Sequence, residues 1–272
     1  MKDYLRQILV GAADANVARR VATEYLQARL LQSLQDQGAY ATWAFQGGTA
    51  LRFLYAMPRF SEDLDFALVE PQIDARFGEN VTGCRRTFEA EGYDVDVRIK
   101  ETKTVKSAFV RLRGLPYELG LSPHRSETLS VKVEVDSHPP AGARIVSSLV
   151  RRYVILNLRH YDKASLLAGK LHAILTRPYT KGRDIYDLIW YLSDRTWPVP
   201  NLELLNNALA QTGRQDPEVT PENWRGLIRR RIETLQWKQV VDDVKPFLER
   251  PGDVNLLTRE TLLSVLERPS GA

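Results

Sequence analysis

The stretch FQGGTALRFLYAMPRFSEDLDFAL, residues 45–68, decides the fold of this chain. Near its end two aspartates, Asp63 and Asp65, are separated by a single apolar residue. Side chains alternate across a β-strand, so both carboxylates lie on one face of the strand while Leu64 and Phe66 point into a core. Two neighbouring carboxylates repel each other unless a cation lies between them. Oxygen-rich sites of this kind suit Mg²⁺, especially where substrate phosphates complete the coordination.

A glycine pair lies upstream of the two aspartates. Gly47 and Gly48 begin a short helix that continues through Leu51 to Tyr55 and stops at Pro58. Backbone amides at a glycine turn and at a helix N-terminus form a cradle for anions. Taken alone, Gly-Gly is most often a turn, and Asp-x-Asp is most often a solvated strand edge or loop. Glycosyltransferases also bind a metal through Asp-x-Asp, but a Gly-Gly-Thr helix start just upstream is not expected in them. The two motifs in this order, with a helix-length insert between them, indicate a site for nucleotidyl transfer.

The stretch resembles the signature of the AbiEii family of nucleotidyltransferase-like toxins, which belong to the DNA polymerase beta-type nucleotidyltransferase superfamily. The family pattern is a Gly-Gly-Thr/Ser-Ala-Leu helix start followed by Arg-Phe-Ser-x-Asp-Leu-Asp-Phe. Two later motifs agree in order, and one departure is Gln46, where many family members carry lysine. The matching positions are Gly47, Gly48, Thr49, Arg59, Ser61, Asp63 and Asp65, then Lys132-Val133-Glu134-Val135, and then Lys170-Leu171 and Gly182-Arg183-Asp184-Ile185-Tyr186-Asp187-Leu188.

The resemblance implies a site for two Mg²⁺ ions that bridge the nucleotide triphosphate and the attacking hydroxyl, about 3.5–4 Å apart. Asp63 and Asp65 are the expected metal ligands. A third acid usually comes from a neighbouring strand, and Glu134 fits this role because apolar core residues alternate with it. Asp136, on the same face, is the alternative. An ion pair between Lys132 and Glu134 on a solvated sheet face is the other interpretation of that motif.

Contacts with the nucleotide are implied as well. Thr49 and Ser61 offer hydroxyl groups near the phosphates, although Thr49 could simply cap its helix. The expected nucleotide-binding residues are Gly47, Gly48, Thr49, Ser61, Lys132, Lys181 and Arg183.

The second half of the chain contributes two further expected catalytic residues beside Asp63 and Asp65. By resemblance, Lys170 contacts the triphosphate, with Lys163 as a rival; a surface lysine whose aliphatic stem packs on the helix is the ordinary interpretation. By resemblance, Asp184 is expected to position a basic group or the acceptor. The alternative is that this acid, at the start of its helix, does no more than interact favourably with the helix dipole.

Composition and periodicity predict the domain organisation. The chain has 272 residues, 43% of them hydrophobic, which is enough for two domains. We expect an α+β fold in which residues 1–150 form a nucleotidyltransferase-like domain, with a small mixed sheet flanked by helices. Residues 151–272 are expected to form a helical C-terminal domain that completes the active-site cleft. The boundary is expected between Pro139 and Arg159, and the pattern is helical from Arg159 onward.

Charge and targeting signals bear on partners and location. There is no apolar run of about 18 residues, and the charged N-terminal segment lacks the features of a signal peptide. The single cysteine, Cys84, excludes an internal disulfide. These features lead us to expect a cytoplasmic protein without a membrane partner. The net charge is only +4, but three basic runs could neutralise RNA phosphates or could be solvated faces: Lys100 to Arg113, Arg151–Arg152, and Arg225 to Arg231.

The resemblance implies a Mg²⁺-dependent nucleotidyltransferase toxin, half of a toxin–antitoxin or phage-defence pair. Its expected reaction adds a nucleotide from an NTP to the 3′ end of tRNA and so blocks translation, and a cognate antitoxin is the expected partner. Two alternatives remain open. One is an enzyme with a small-molecule or protein acceptor, and the other is a module that senses a nucleotide without transferring it.

Overall fold

The computed structural model describes residues 2–71, 73–179, 181–213 and 218–267. Its strands are β1 (Trp43–Gln46), β2 (Asp63–Leu68), β3 (Val95–Lys100), β4 (Val105–Arg113), β5 (Thr128–Asp136), β6 (Ile145–Arg152) and β7 (Val154–Tyr161). Its α-helices are α1 (Lys2–Leu9), α2 (Ala15–Asp36), α3 (Gly47–Tyr55), α4 (Phe77–Ala90), α5 (Leu115–Glu118), α6 (Lys163–Thr176), α7 (Gly182–Ser193), α8 (Leu202–Gln211), α9 (Trp224–Glu233), α10 (Trp237–Val244) and α11 (Arg259–Glu267).

The chain divides into two compact units, each built from more than one segment. The first unit comprises Met1–Tyr55, Phe60–Pro139 and Ser147–His160, and it contains almost all of the β-sheet. The second comprises Ala56–Arg59, Pro140–Val146 and Tyr161–Ala272, and it is mainly helical. No helix in the described part of the chain is long and apolar enough to cross a membrane.

The described strands form one mixed sheet of seven strands in the order β3-β4-β5-β2-β1-β7-β6. Strand β4 is antiparallel to both β3 and β5, whereas β2 pairs with β5 in parallel and with β1 antiparallel. The strand β7 returns to pair with β1 in parallel. Strand β2 therefore lies at the centre of the sheet, between the glycine turn that follows β1 and the acidic motif on β5.

The two faces of the β2–β5–β4 region differ in chemistry. Alternate residues of each strand are buried and apolar, and helices α2 and α4 pack against β3, β4 and β5. Polar side chains, including both aspartates of β2, occupy the other face, which we call the outer face. The buried apolar residues of β2, β4 and β5 are Leu64, Phe66, Ala108, Val110, Leu112, Leu129, Val131, Val133 and Val135.

Most predicted elements are present, but the sequence does not predict two of the strands. Strands β6 and β7 lie where the sequence predicts a domain boundary and the start of a helical half. Large apolar side chains of this hairpin, Val146, Leu149 and Ile155, are exposed. Because apolar residues occur on both faces, the period-two alternation that signals a half-buried strand is lost. Near Leu115 a short helix, α5, also lies inside a segment whose glycines and prolines predict a loop.

Candidate active site

The glycine turn lies directly against one of the two aspartates. Gly47 is the first residue of α3 and has a φ of +80°, a conformation that glycine adopts without steric cost. A Cβ atom at this position would lie 2.6 Å from Oδ2 of Asp65. The backbone of the turn is therefore in close contact with the Asp65 carboxylate, at the positive end of the α3 dipole. Only glycine allows this approach.

The acids of β2 lie beside the acidic motif of β5. In the parallel pairing Asp63 is opposite Lys132, and Asp65 is opposite Glu134. Residues opposite each other on neighbouring strands share a face, so Asp63, Asp65 and Glu134 are all on the outer face. All three are partly accessible. Asp136 is on this face too, but its Oδ1 accepts the backbone N–H of His138 after the strand ends, 2.9 Å away.

Lys132 is surrounded by these carboxylates. Its Nζ lies 2.7 Å from Oε1 of Glu134. Burial alone would lower the pKa of Lys132, yet this pKa is raised above its usual value. The hydrogen bond and the charge of Glu134 raise it, and so do the charges of Asp63 and Asp65. The lysine thus supplies positive charge within a group of three acids.

Two polar side chains fix the start of β2. Thr49 is fully buried, and its hydroxyl donates to the backbone carbonyl of Asp63. The amide of Gln27, on α2, donates to the carbonyls of Ser61 and Glu62, at 3.0 and 2.9 Å. The Thr49 hydroxyl has a structural partner in place of the phosphate that the sequence predicts for it. Ser61 remains partly accessible, and its contact with the nucleotide stays a prediction.

The donor set of this site fits a hard cation. Carboxylate oxygens are the ligands that Mg²⁺ prefers, and Asp63, Asp65 and Glu134 occupy neighbouring positions on two adjacent strands. Within the described residues, no group of three or more His, Cys, Asp or Glu side chains is already gathered closely enough to hold a metal ion. The Glu134 carboxylate instead bonds Lys132, so it would have to exchange this lysine for the cation.

A second cluster of charged residues lies in the helical unit. Asp187, on α7, receives two hydrogen bonds from Arg59, at 2.5 and 2.6 Å, and its Oδ2 lies 2.7 Å from Nζ of Lys170 on α6. The same Nζ donates to Asp184, 3.0 Å away, and Asp184 also pairs with Arg177. Two predicted residues, Lys170 and Asp184, are therefore hydrogen-bonded to each other.

Burial makes this cluster strongly coupled. The side chains of Arg59 and Asp187 are almost completely buried, and that of Lys170 is largely so. Burial pushes the pKa of Asp187 upward, but the charges of Arg59 and Lys170 hold it below its usual value. Burial would lower the pKa of Lys170, but its two aspartate partners outweigh this effect and raise it. Lys170 is thus held cationic by its neighbours, which differs from a lysine on an ordinary solvated helix face.

The glycine–arginine–aspartate motif at the start of α7 is explained in part by packing. A Cβ atom on Gly182 would lie 1.9 Å from the backbone oxygen of Val240, so α7 begins in close contact with α10. The Arg183 guanidinium lies 4.1 Å from the ring centroid of Phe247, and its backbone N–H donates to Asp243. These contacts give Arg183 a packing role beside its predicted nucleotide contact. Lys181 precedes the helix and is partly accessible.

The rival lysine has a different environment. The Nζ of Lys163 lies 4.3 Å from the centroid of the Trp197 ring, which is a cation–π contact. The Nζ of Lys170, by contrast, bonds both carboxylates at the start of α7, those of Asp184 and Asp187. The two lysines thus differ in their contacts, and the role of either one toward a nucleotide stays a prediction.

The sequence pattern does not single out Arg59, Asp187 or Arg177 as site residues. Arg59 and Asp187 both match the family signature, so a signal is present, but their pairing spans 128 residues of sequence. Nothing in the spacing of either residue predicts this pair. Arg177 carries no signal, because the composition around it predicts only a connecting loop.

The chain is similar to known proteins in its sequence and in its fold. Residues 29–262 match a family model described as "Nucleotidyl transferase AbiEii toxin, Type IV TA system". The structure is similar to MenT4, a nucleotidyltransferase toxin from Mycobacterium tuberculosis, with a TM-score of 0.58 and 16% identity, over 99% of this chain and 91% of that chain. It is also similar to JHP933 from Helicobacter pylori, with a TM-score of 0.55 and 20% identity, over 91% and 90% of the two chains. A comparison with curated protein sequences gave no match. The structural similarities confirm the α+β fold class.

Proposed function

Because this chain belongs to the AbiEii family of type IV toxin–antitoxin nucleotidyltransferases, as its signature predicts, we propose that it transfers a nucleoside monophosphate from an NTP to the 3′ end of tRNA and so blocks translation. The enzyme class, nucleotidyltransferase, follows from the family. The acceptor, the Mg²⁺ requirement and the effect on translation are the parts that we propose. The family also implies a cognate antitoxin, and we propose the cytoplasm as the site of action.

One observation carries the proposal. The carboxylates of Asp63 and Asp65 share the outer face of β2, and the amides of the Gly47 turn begin a helix in contact with Asp65. This combination offers anionic ligands for a cation next to backbone donors for a phosphate. Glu134, on the neighbouring strand, would be the third acid.

In the proposed reaction, an acceptor hydroxyl oxygen attacks the α-phosphorus of the NTP in line. A bond forms between the acceptor oxygen and the α-phosphorus, the bond from the α-phosphorus to the bridging oxygen breaks, pyrophosphate leaves with that oxygen, and the hydroxyl proton passes to water. Mg²⁺, held by Asp63, Asp65 and Glu134, would neutralise the developing charge on the phosphate oxygens. The residues of the chain would contribute positioning and electrostatic stabilisation.

Cationic side chains would bind the triphosphate. Lys132, released from Glu134 when a cation takes its place, is one candidate on the outer face. Lys170, kept charged by Asp184 and Asp187, is the candidate in the helical unit. Asp184 and Asp187 would act by holding this lysine in one position.

The proposal can be tested with each of the four α-³²P-labelled NTPs, Mg²⁺ and total cellular RNA. We expect label in a tRNA-sized product with the wild-type chain and a loss of at least about a hundredfold in Asp63→Ala or Asp65→Ala, since a metal ligand supplies several kcal/mol of charge stabilisation. Glu62→Ala is the matched control, because Glu62 adjoins Asp63 but pairs with Arg20. Circular dichroism would establish that each variant is folded.

The outcomes separate the candidate functions. Transfer that persists in a folded Asp63→Ala, Asp65→Ala double variant would contradict the mechanism. Release of pyrophosphate without labelled RNA would indicate a small-molecule or protein acceptor. Tight nucleotide binding without release of pyrophosphate would indicate a sensor.

A further inference from the structure

A continuous row of residues crosses the outer face of the sheet, beginning at the candidate metal site. Asp63 on β2 is opposite Lys132 on β5, Lys132 is opposite Phe109 on β4, and Phe109 is opposite Arg98 on β3. Residues opposite each other share a face, and neighbouring strands are about 4.8 Å apart. Phe109 therefore lies about 10 Å from Asp63, and Arg98 about 14 Å from it, on the same face.

Phe109 is an unusual residue for this position. It is 37% exposed, whereas its neighbours Ala108 and Val110 are completely buried on the other face. Cations are placed around its ring: the Arg111 guanidinium is 5.7 Å and the Lys132 ammonium 5.8 Å from the ring centroid. An accessible aromatic ring between cations is the arrangement with which proteins stack nucleobases and bind the adjoining phosphates.

The charge beyond Phe109 is strongly positive. Arg98, Arg111 and Arg113 all have a guanidinium nitrogen within 3.9 Å of one carboxylate, that of Asp96. Three positive charges share one negative charge, which leaves an excess of +2 in this group. Arg98 and Arg113 are more than half exposed. We call Phe109, Arg98, Arg111, Arg113 and Asp96 the β3–β4 platform.

Members of the other two basic runs are engaged in structural contacts. Arg152 pairs with the buried Glu24. Arg225 lies on the Trp224 ring and donates to a backbone carbonyl, and Arg231 donates to two carbonyls. The run that includes Arg111 and Arg113 differs from these in lying beside an exposed aromatic ring, that of Phe109.

We propose that the β3–β4 platform docks the single-stranded end of an RNA acceptor, with one base stacked on Phe109 and the adjoining phosphates bound by its arginines. The inference rests on the proposed function, because it names where the acceptor of that reaction binds. The row from Arg98 to Asp63 would direct the strand toward the metal-binding acids.

The dimensions favour a nucleic acid strand over the NTP itself. The anion cradle at Gly47 and the acids on β2 and β5 lie at one end of the row, and this is where the triphosphate would be bound. With their offsets along the strands included, Arg111, Arg98 and Arg113 lie roughly 12, 14 and 17 Å from Asp63. Positive charge so far from the reacting phosphate suits the phosphates of a longer chain.

The first experiment measures binding of fluorescein-labelled total tRNA, by fluorescence anisotropy, to the full chain carrying Asp63→Asn so that no transfer occurs. Phe109→Ala should weaken binding about 5- to 150-fold, since this is the range for loss of one base–aromatic stack. Phe109→Trp should restore it. Tyr117→Ala is the matched control, because Tyr117 is 41% exposed and also carries an arginine, Arg125, over its ring, but lies on the helix α5 and not on a strand of the sheet. We expect no change for the control.

The second experiment measures the salt dependence of the same binding. Each of Arg98→Gln and Arg113→Gln should lower the slope of log Kd against log salt concentration by about 0.7, the value for one lost phosphate contact with a single strand. The control Arg125→Gln should leave the slope unchanged. Equal slopes for wild type and the two platform variants would overturn the proposal.

The results distinguish this inference from the proposed function. If the wild-type chain labels tRNA but Phe109→Ala changes neither the tRNA Kd nor the KM for RNA, the platform is wrong and the function stands. If Phe109→Ala weakens RNA binding while no transfer occurs, the platform stands and the function is wrong. If Phe109→Ala raises the KM for the NTP but leaves the KM for RNA unchanged, the Phe109 ring stacks on the base of the NTP. This result would also overturn the proposal.

Discussion

At the residue scale, a single glycine controls the contact between the start of α3 and the carboxylate of Asp65. Gly47 combines a left-handed φ with an approach of 2.6 Å between the position of a Cβ and Oδ2 of Asp65. The backbone conformation and the close approach can be tested separately. Gly92 has the same φ of +80°, but a Cβ added there would have no atom of the described residues within 4 Å. The chain thus offers a matched pair of glycines.

We predict that Gly47→Ala and Gly92→Ala each lower the free energy of unfolding by about 1–2 kcal/mol, the cost of the left-handed conformation for alanine. Only Gly47→Ala should also reduce nucleotide transfer, by at least about tenfold, because its methyl group displaces the Asp65 carboxylate. Urea unfolding and the labelling assay measure the two effects. Equal activity of the two variants would show that the contact with Asp65 has no catalytic importance.

At the scale of secondary-structure elements, helix ends place the charged residues. The start of α7 carries Asp184 and, one turn later, Asp187, and this start is held against α10 by the contact between Gly182 and the Val240 carbonyl. The backbone of α10 cannot move aside as a flexible side chain would. A glycine at this position of the motif is therefore required by helix packing, independently of any contact with substrate.

Gly182→Ala should lower the free energy of unfolding by about 1–3 kcal/mol through overpacking. Gly169→Ala is the control, since Gly169 is exposed in the middle of α6 and an added Cβ would have no atom of the described chain within 4 Å. This change should raise stability by about 0.5–1 kcal/mol, because alanine is the better helix former. Urea unfolding measures both values. A neutral Gly182→Ala would contradict the close contact with α10.

At the scale of the whole molecule, a buried charge cluster joins distant parts of the sequence. Arg59 precedes β2, and its partner Asp187 follows 128 residues later, with Lys170 bonded to the same carboxylate. Both residues of the Arg59–Asp187 pair are nearly inaccessible. Removing one member of such a pair leaves an uncompensated buried charge, which costs much more than the loss of a surface ion pair.

Asp187→Asn should lower the free energy of unfolding at pH 7 by about 3–5 kcal/mol. The pKa of Asp187 is lower in the folded chain than its usual value, about 3.9, so its stabilising effect is fully present above that pH and is lost as pH falls through the folded value. The difference between wild type and variant should therefore shrink at acidic pH.

Urea unfolding at pH 7 and at successively lower pH measures this difference. Asp194→Asn is the control, because Asp194 is exposed and bonds Thr196 in a local turn, so its effect should be small. A difference for Asp187→Asn that stays constant with pH would show that its ionised carboxylate is not the source of the stability.

Much of the fold is predictable, because its signals are local. Alternation with period two places Asp63 and Asp65 on one face of a strand, and the glycine pair marks the start of α3. Apolar residues at helical spacing predict helices over Arg19 to Gln37 and over Lys163 to Leu175, and α2 and α6 lie there. The sequence does not predict the edge hairpin of β6 and β7. Apolar residues such as Leu149 and Ile155 are exposed there, so polar and apolar residues do not alternate along these strands.

The sequence alone determined the candidate site as far as spacing can: which residues alternate, where glycine must turn, and which acids share a strand face. Strand order and pairing register decided the rest, since they depend on burial of distant apolar segments and not on local spacing. They set Lys132 among three acids and put Phe109 in one row with Asp63, and helix packing joined Arg59 to Asp187. No local period connects such residues, because their proximity arises only when the whole sheet and the helix core have formed.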